Sequence, residues 1–536
     1  MEGQPGPLPA KRSQSGWRRL LPRRAPTGLA VPGAQTSKAE YRIKHAHGTT
    51  VKAISQDAKQ SNKWVDLGAY QFNDTVPQVS LDNFNGGDGS KDIAFDAVAF
   101  VPGDYDGLND IIFPEADPNA SDVDFVGAQD AKEVSAGGTL RSLAAAEPGE
   151  PTCATGRNGI RWCGSYVPLD EKKAKTPNML KSAAAAAAGP VGWCSNVNGA
   201  AMQTRTQGCL RGLLPLTATR DGAPVGNATM KVVQEINLNP KSNVFTTWTE
   251  LSLVNMTGLT STTLTSFAED CWPTGDCTES TGSWTGSTTW TPGDMHVATR
   301  TNTYTWKKTT GGESKLDFTW DTTWSTPSAG VQAVPKWSNR AFDVRCDNKV
   351  GGNTGCVFPN YTPTLQMNTK KYPAAAAYYW VLMEKLASHP GSEQYNKPLH
   401  RLADDTKAKE NRDKMCMLAV AEWNPHPDAD GTSCDEYPFA KSRESGGMTL
   451  SSGKSCVQFY ADKQSDGSWM LELDNNYPYP TWNEICGRAA VPVKQNTDAG
   501  GNLGRFTSEI RLLENDAYFV QTGFEYCDIK SVCNIS

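Results

Sequence analysis

Met230-Lys231-Val232-Val233-Gln234-Glu235-Ile236-Asn237-Leu238 sets apolar residues at alternate positions, the period of a strand with one covered face. After a turn at Asn239-Pro240 the same period resumes over 244–253, and the stretches 301–307 and 316–324 repeat it. Loops rich in Ser, Thr and Gly separate these runs, so 191–360 is predicted to be an Ig-like or related β-sandwich. Trp284, Trp290, Trp306, Trp320 and Trp324 fall inside it. They either line a sugar platform or pack the core.

A chain of 536 residues is too long for one ordinary core, so about two to four domains are expected. A hydrophobic content of 38% with 33 prolines points to β-rich modules joined by loops, not to a helical bundle. The net charge of −6 and isoelectric point near 5.7 exclude a global basic field. Any contact with nucleic acid must come from a local patch, with an affinity that falls as salt rises.

The 14 cysteines fall in close couples: Cys153/Cys163, Cys194/Cys209, Cys271/Cys277, Cys346/Cys356, Cys416/Cys434, Cys456/Cys486 and Cys527/Cys533. There is no C-x-x-C and histidine is scarce, which argues against structural zinc. A disulfide set formed in an oxidising compartment fits better, with these pairings suggested by proximity alone. Secretion is therefore expected, although 1–39 is Pro- and Arg-rich and shows no apolar signal segment. The chain start is expected to lie inside a longer natural polypeptide. No stretch is apolar enough to span a membrane.

Residues 1–39 read as a disordered leader, and 40–102 as a partial β domain with strands near Tyr41, Tyr70, Val79 and Phe95. Residues 103–190 read as an acidic, Ala-rich linker. Its acids do not have EF-hand spacing, so a solvated linker is expected there, not a calcium site. Beyond 361 a small α+β domain is predicted, with an amphipathic helix at 373–386 and a helical stretch at 399–417. The second stretch carries Lys397 just upstream, Arg401, Lys407, Lys409, Arg412 and Lys414 among acids. It is either a phosphate-contacting patch or a solvated face of paired charges. The fold class is thus multidomain: N-terminal and middle β-sandwich-like modules, then a small α+β domain over 361–536.

The chemistry concentrates in Cys434-Asp435-Glu436-Tyr437-Pro438-Phe439-Ala440, followed by Arg443-Glu444-Ser445-Gly446-Gly447. Adjacent carboxylates suit holding a hard cation or moving a proton. In an extended segment the two acids should point to opposite faces, so separate roles are expected for Asp435 and Glu436.

Asp435 to Ala440, Glu444 and Gly446-Gly447 resemble the signature of the NucA/NucB family of secreted bacterial deoxyribonucleases. The likeness extends upstream to Lys397-Pro398-Leu399-His400-Arg401 and to Asn411-Arg412 through Cys416. Downstream it takes in Val491-Pro492, Gln495-Asn496, Gly500-Gly501-Asn502, Arg511-Leu512-Leu513 and Asp516-Ala517-Tyr518-Phe519-Val520. It covers most of the last third of the chain, in order. Residues 40–102 resemble the back half of a golvesin C-terminal-like domain, a small sandwich classed with carbohydrate-binding modules.

The first resemblance implies a nuclease domain over 361–536 that hydrolyses DNA without sequence preference, using Mg2+ or Mn2+. It implies Asp435 as the base that activates water, with Glu436 supporting it. Glu444 is an acid or ligand, and Arg443 and Arg511 stabilise transition-state charge or form salt bridges. The metal would sit among Asp435, Gln495 and Asn496. His400, Arg401, Arg412, Gly500, Gly501, Asn502 and Arg511 would bind substrate, the glycines as a loop whose N–H groups face phosphate. Family members often carry an acid just before this asparagine, where this chain has Gln495. The amide removes one negative charge and is expected to weaken metal binding. The second resemblance implies contact with cell-surface or extracellular polysaccharide. Two rival readings are a noncatalytic binding or adhesion protein with a degenerate nuclease domain, and a glycan hydrolase built on paired carboxylates.

Overall fold

The computed structural model describes 151–169, 201–308, 312–327, 330–338, 342–417, 432–463, 469–474 and 476–524 continuously. It also describes 17–23, 39–45, 48–54, 67, 69–71, 78–81, 97–102, 111–113, 116–117, 119–120, 132–133, 189, 191–194, 423 and 425. Among the described residues strand is the commonest structure, beside three α-helices.

The alternating stretches form two sheets facing one core. In the first, Val297–Trp306, Val244–Thr257, Ala223–Asn237 and Gln207–Arg220 run antiparallel side by side. The second is built on Thr262–Trp272 and Glu313–Thr326, and continues through Val344–Val350 to Asn353–Val357. Alternation sends Met230, Val232 and Ile236 inward, where they join one cluster with Leu251, Phe267 and Phe318. Trp290, Trp306, Trp320 and Trp324 belong to that cluster and are at most 1% exposed, and Trp284 packs against it. The tryptophans are therefore core and not a sugar platform. Each such ring buries about 200 Å², worth about 5 kcal/mol at ~25 cal/mol per Å² before entropy.

The expected linker over 103–190 is in part structured. Thr152–Thr155, Ile160–Gly164 and Val167–Pro168 are strands of the first sandwich sheet. Ile111–Phe113 adds an edge strand to the C-terminal sheet. Residues 17–23 also depart from a disordered leader: Trp17–Arg23 pairs with Ala69–Gln71 and Ala97–Pro102. Ala39–His45, Gly48–Ile54 and Gln78–Leu81 form a further three-stranded sheet.

Beyond 361 the chain is α+β. Helix α1, Pro373–Lys385, starts on a proline, whose missing N–H costs nothing at that position. Every residue from 373 to 383 is buried, so α1 is a core helix and not the amphipathic one expected. It packs on a sheet ordered Thr432–Tyr437, Gly487–Pro492, Val457–Lys463, Trp469–Leu473 and Ile111–Phe113. Gly487 is required by that packing, because a Cβ there would lie 2.3 Å from Leu382 Cδ1. Helix α2, Asp405–Cys416, is capped by Asp404, whose Oδ1 accepts from Thr406 N at 3.0 Å and Lys407 N at 3.1 Å. Helix α3, Val493–Glu509, leaves directly from the Gly487–Pro492 strand. A small sheet of Thr364–Gln366, Ala517–Gln521 and Leu399–His400 closes this part.

Six disulfides join the couples suggested by proximity, among them Cys416–Cys434 and Cys456–Cys486. Cys527 and Cys533 lie outside the described residues. Among the described residues no helix is long and apolar enough to cross a membrane.

Candidate active site

The Thr432–Tyr437 strand lies at the edge of its sheet, with α3 and α2 packed beside it. The Cys416–Cys434 disulfide ties the end of α2 to it. A cleft of about 610 Å³ opens there. Asp435, Glu436, Arg401, Arg412, Lys441 and Asn496 all line it.

Both acids are nearly buried, Asp435 at 6% and Glu436 at 7% exposed. They were expected on opposite faces with separate roles. Asp435 does turn toward α1, where the Tyr379 hydroxyl donates to its Oδ2 at 2.6 Å. Glu436 turns toward α2, where Arg412 Nε stands 3.9 Å from its Oε1. Both still reach one cleft, because the cleft wraps the edge of the strand. Burial pushes the Asp435 carboxyl up to about 8, reinforced by the neighbouring Glu436 charge. Burial pushes Glu436 up to about 7, against the pull of Arg412.

Asn496 sits in the first turn of α3. Its Nδ2 donates to Cys434 O at 2.9 Å and Ser433 Oγ at 3.0 Å, which ties the helix to the acid-bearing strand. Gln495 does not join it in the cleft. Its Oε1 accepts from Ala374 N at 2.8 Å, which caps the buried start of α1. One residue is a 100° turn of a helix, and here that turn separates cleft from core.

Gly500, Gly501 and Asn502 were expected as a phosphate-binding loop. They lie inside α3, where the helix ladder uses their N–H groups. Gly500 does line the cleft, on one helix face with Asn496, Leu503, Gly504 and Thr507. Asn502 faces away, fully buried, and its Nδ2 donates to Gln366 O at 2.9 Å.

Glu444 holds His400. Its Oε1 meets His400 Nδ1 at 2.7 Å and its Oε2 accepts from His400 N at 2.9 Å. Neither side chain lines the cleft, although the next residue, Arg401, does. Arg443 is paired with Glu514 at the surface, its Nε 2.7 Å from Oε1, and is also outside the cleft. Arg511 is 1% exposed and serves the sandwich, donating to Pro240 O at 2.9 Å and Asp347 Oδ1 at 2.7 Å. It therefore does not meet substrate. In the basic stretch, Lys409 pairs with Asp413 at 2.5 Å and Lys414 donates to Gly447 O at 2.8 Å. Only Arg401 and Arg412 of that stretch reach the cleft.

Lys441 and Tyr379 are among the cleft residues that escaped the sequence reading. Lys441 follows the acid run immediately. Tyr379 lies in Tyr378-Tyr379-Trp380, and a tyrosine in a buried helix needs a partner for its hydroxyl. Among the described residues no three His, Cys, Asp or Glu side chains cluster as a metal site. The cleft supplies two carboxylates and one amide, a donor set that suits a hard cation keeping waters and taking a substrate phosphate. Arg412 stands 3.9 Å from Glu436 and does not offset burial, so both carboxyls are pushed up.

The model of the deoxyribonuclease NucA/NucB family matches residues 387–481. That match contains His400, Arg401, Arg412, Asp435, Glu436, Lys441, Arg443 and Glu444, and ends before Asn496. The chain thus carries a NucA/NucB deoxyribonuclease domain in its C-terminal part. No curated protein matches the chain.

Proposed function

We propose that the chain is a secreted, metal-dependent endonuclease that hydrolyses DNA phosphodiester bonds without sequence preference. The observation that carries this reading is the buried Asp435–Glu436 pair at the wall of a cleft shared with Arg401, Arg412 and Lys441. The NucA/NucB match over 387–481 supports it independently.

In this reading Asp435, Glu436 and Asn496 hold one Mg2+ or Mn2+, and Gln495 takes no part. When bound, the cation neutralises charge on the phosphoryl oxygens and lowers the pKa of a water. Arg401, Arg412 and Lys441 bind the backbone phosphates, which carry no sequence information. Asp435 accepts the proton of the attacking water. Tyr379 holds its Oδ2, which leaves Oδ1 for that transfer. A carboxyl pushed up to about 8 is matched to proton transfer near neutral pH. The α3 face is low at Gly500 and Gly504, so the duplex backbone can approach. The six disulfides suit the extracellular setting, and the N-terminal β module holds the nuclease near extracellular polysaccharide.

Supercoiled plasmid incubated with the purified chain tests the proposal, in Mg2+, in Mn2+ and in chelator. Nicked and linear products with either metal and none in chelator are expected. Intact plasmid in every arm overturns the nuclease reading in favour of a noncatalytic binding protein.

A further inference from the structure

The loop 510–516 lies between two masters. On one side it is gripped by the sandwich. Arg205, in the turn before the Gln207–Arg220 strand, donates to Ile510 O at 2.9 Å, Arg511 O at 3.0 Å and Asp516 Oδ2 at 2.6 Å. Arg345, in the Val344–Val350 strand, donates to both Asp516 oxygens at 2.9 Å and to Arg511 O at 2.8 Å. Arg511 reaches back to Asp347. All three guanidinium groups are buried.

On its other side the same loop holds Arg401. Arg401 N donates to Asp516 O at 3.0 Å, and Asn515 N donates to Arg401 O at 2.9 Å. The Arg401 guanidinium bonds Leu512 O, and Ala403 N donates to Glu514 Oε2 at 2.6 Å. Arg401 lines the cleft. The Asp516 residue is therefore shared: its carboxylate belongs to the sandwich arginines and its carbonyl to Arg401.

A tether needs no such joint. Burying three arginines at a junction is costly unless most donors find fixed acceptors; those of Arg205 and Arg345 are Asp516 and carbonyls of the 510–511 and 358–361 segments, and those of Arg511 are Pro240, Asp347 and Asn353. The consequence is a loop held from both sides, and an Arg401 whose place depends on contacts made by a different module of the chain. We propose that Arg205 and Arg345 are positioning residues for Arg401, so that the sandwich is a built-in part of the phosphate-binding wall and not a tether. This rests on the nuclease reading for its effect on DNA, though not for its effect on structure.

The test uses the full chain with Arg205→Lys, which keeps the charge and loses the fork. KM for a duplex oligonucleotide should rise about tenfold with kcat little changed, because a misplaced phosphate contact is a binding defect. The slope of log KM against log salt should fall by about one, as it does for Arg401→Ala. The double variant should be no worse than Arg401→Ala, because Arg205 acts through it. Amide exchange over 399–403 should accelerate. Phe267→Leu, in the sandwich core away from the junction, should lower Tm and move none of these readouts. Arg205→Lys with parental KM, salt slope and exchange, or with an effect additive to Arg401→Ala, overturns the inference. If the parent cuts no DNA, the nuclease reading fails, and exchange over 399–403 alone decides the positioning role. If Arg205→Lys does not fold, the same exchange measurement on Asp516→Asn decides it.

Discussion

The junction and the cleft both bury acids, and they balance them in opposite ways. At the junction Asp347 and Asp516 face three arginines, with contacts of 2.6–2.9 Å. Surplus donors there go to main-chain carbonyls. Burial works against the Asp516 charge, yet Arg205 and Arg345 bring its carboxyl below the usual range. In the cleft Asp435 and Glu436 have one arginine, 3.9 Å from Glu436, and both are pushed up. The two junction acids have three guanidinium groups around them, and Asp516 is held charged within the protein. In the proposed function the cleft pair, with fewer fixed partners of its own, takes a cation from outside.

The contrast gives a direct way to tell the two regions apart. Asp435→Asn should cost on the order of 10³ in cleavage rate, the loss of a base and of a cation ligand. In chelator at pH 8 and above its Tm should stay level or rise, because an uncompensated buried charge has gone. A Tm falling as steeply as for a junction variant would erase the distinction. Arg345→Met should do the reverse at the level of stability. It leaves Asp516 short of a partner and should cost roughly 3–5 kcal/mol, read from denaturant unfolding of the full chain.

The cleft acids also set a pH dependence in chelator. Their folded pKa values, about 8 and about 7, lie above the ordinary carboxyl range. The stability they contribute is therefore complete below about pH 4 and is lost as pH rises through 7 to 8. Tm of the parent should fall across that window relative to Asp435→Asn, and added Mn2+ should remove the difference. A parallel course for parent and variant would show that Asp435 is ordinary.

Asn496→Ala should reduce cleavage by about tenfold, through loss of one ligand and of the bonds to Ser433 and Cys434. Arg443→Ala should fall within about threefold of the parent, since its surface pair with Glu514 is worth little. A large loss there would move the site outward, toward His400 and Glu444.

How much of this was legible depends on the range of the deciding interaction. The period-two runs read correctly because strand alternation is local, and so did six of the seven neighbouring cysteine couples, the seventh lying outside the described residues. The glycines at 500 and 501 read by resemblance as a loop facing phosphate, a reading that glycine's cost of about 1 kcal/mol in a helix does not oppose. Packing of α3 on the acid-bearing strand overrides that preference, with Asn496 as one tie. Arg511 looked like a site arginine from its motif, but its partners Pro240 and Asp347 lie far off in sequence. Gln495 and Asn496 are chemically alike and adjacent. Only the rotation of α3 assigns one to the core and the other to the cleft.

Calorimetric titration of Mn2+ into the full chain, beside the same titration into Asp435→Asn, tests the unbalanced acid pair most directly. One binding site per chain in the parent, absent or at least tenfold weaker in the variant, is the predicted result. Equal binding by the two proteins would contradict the account.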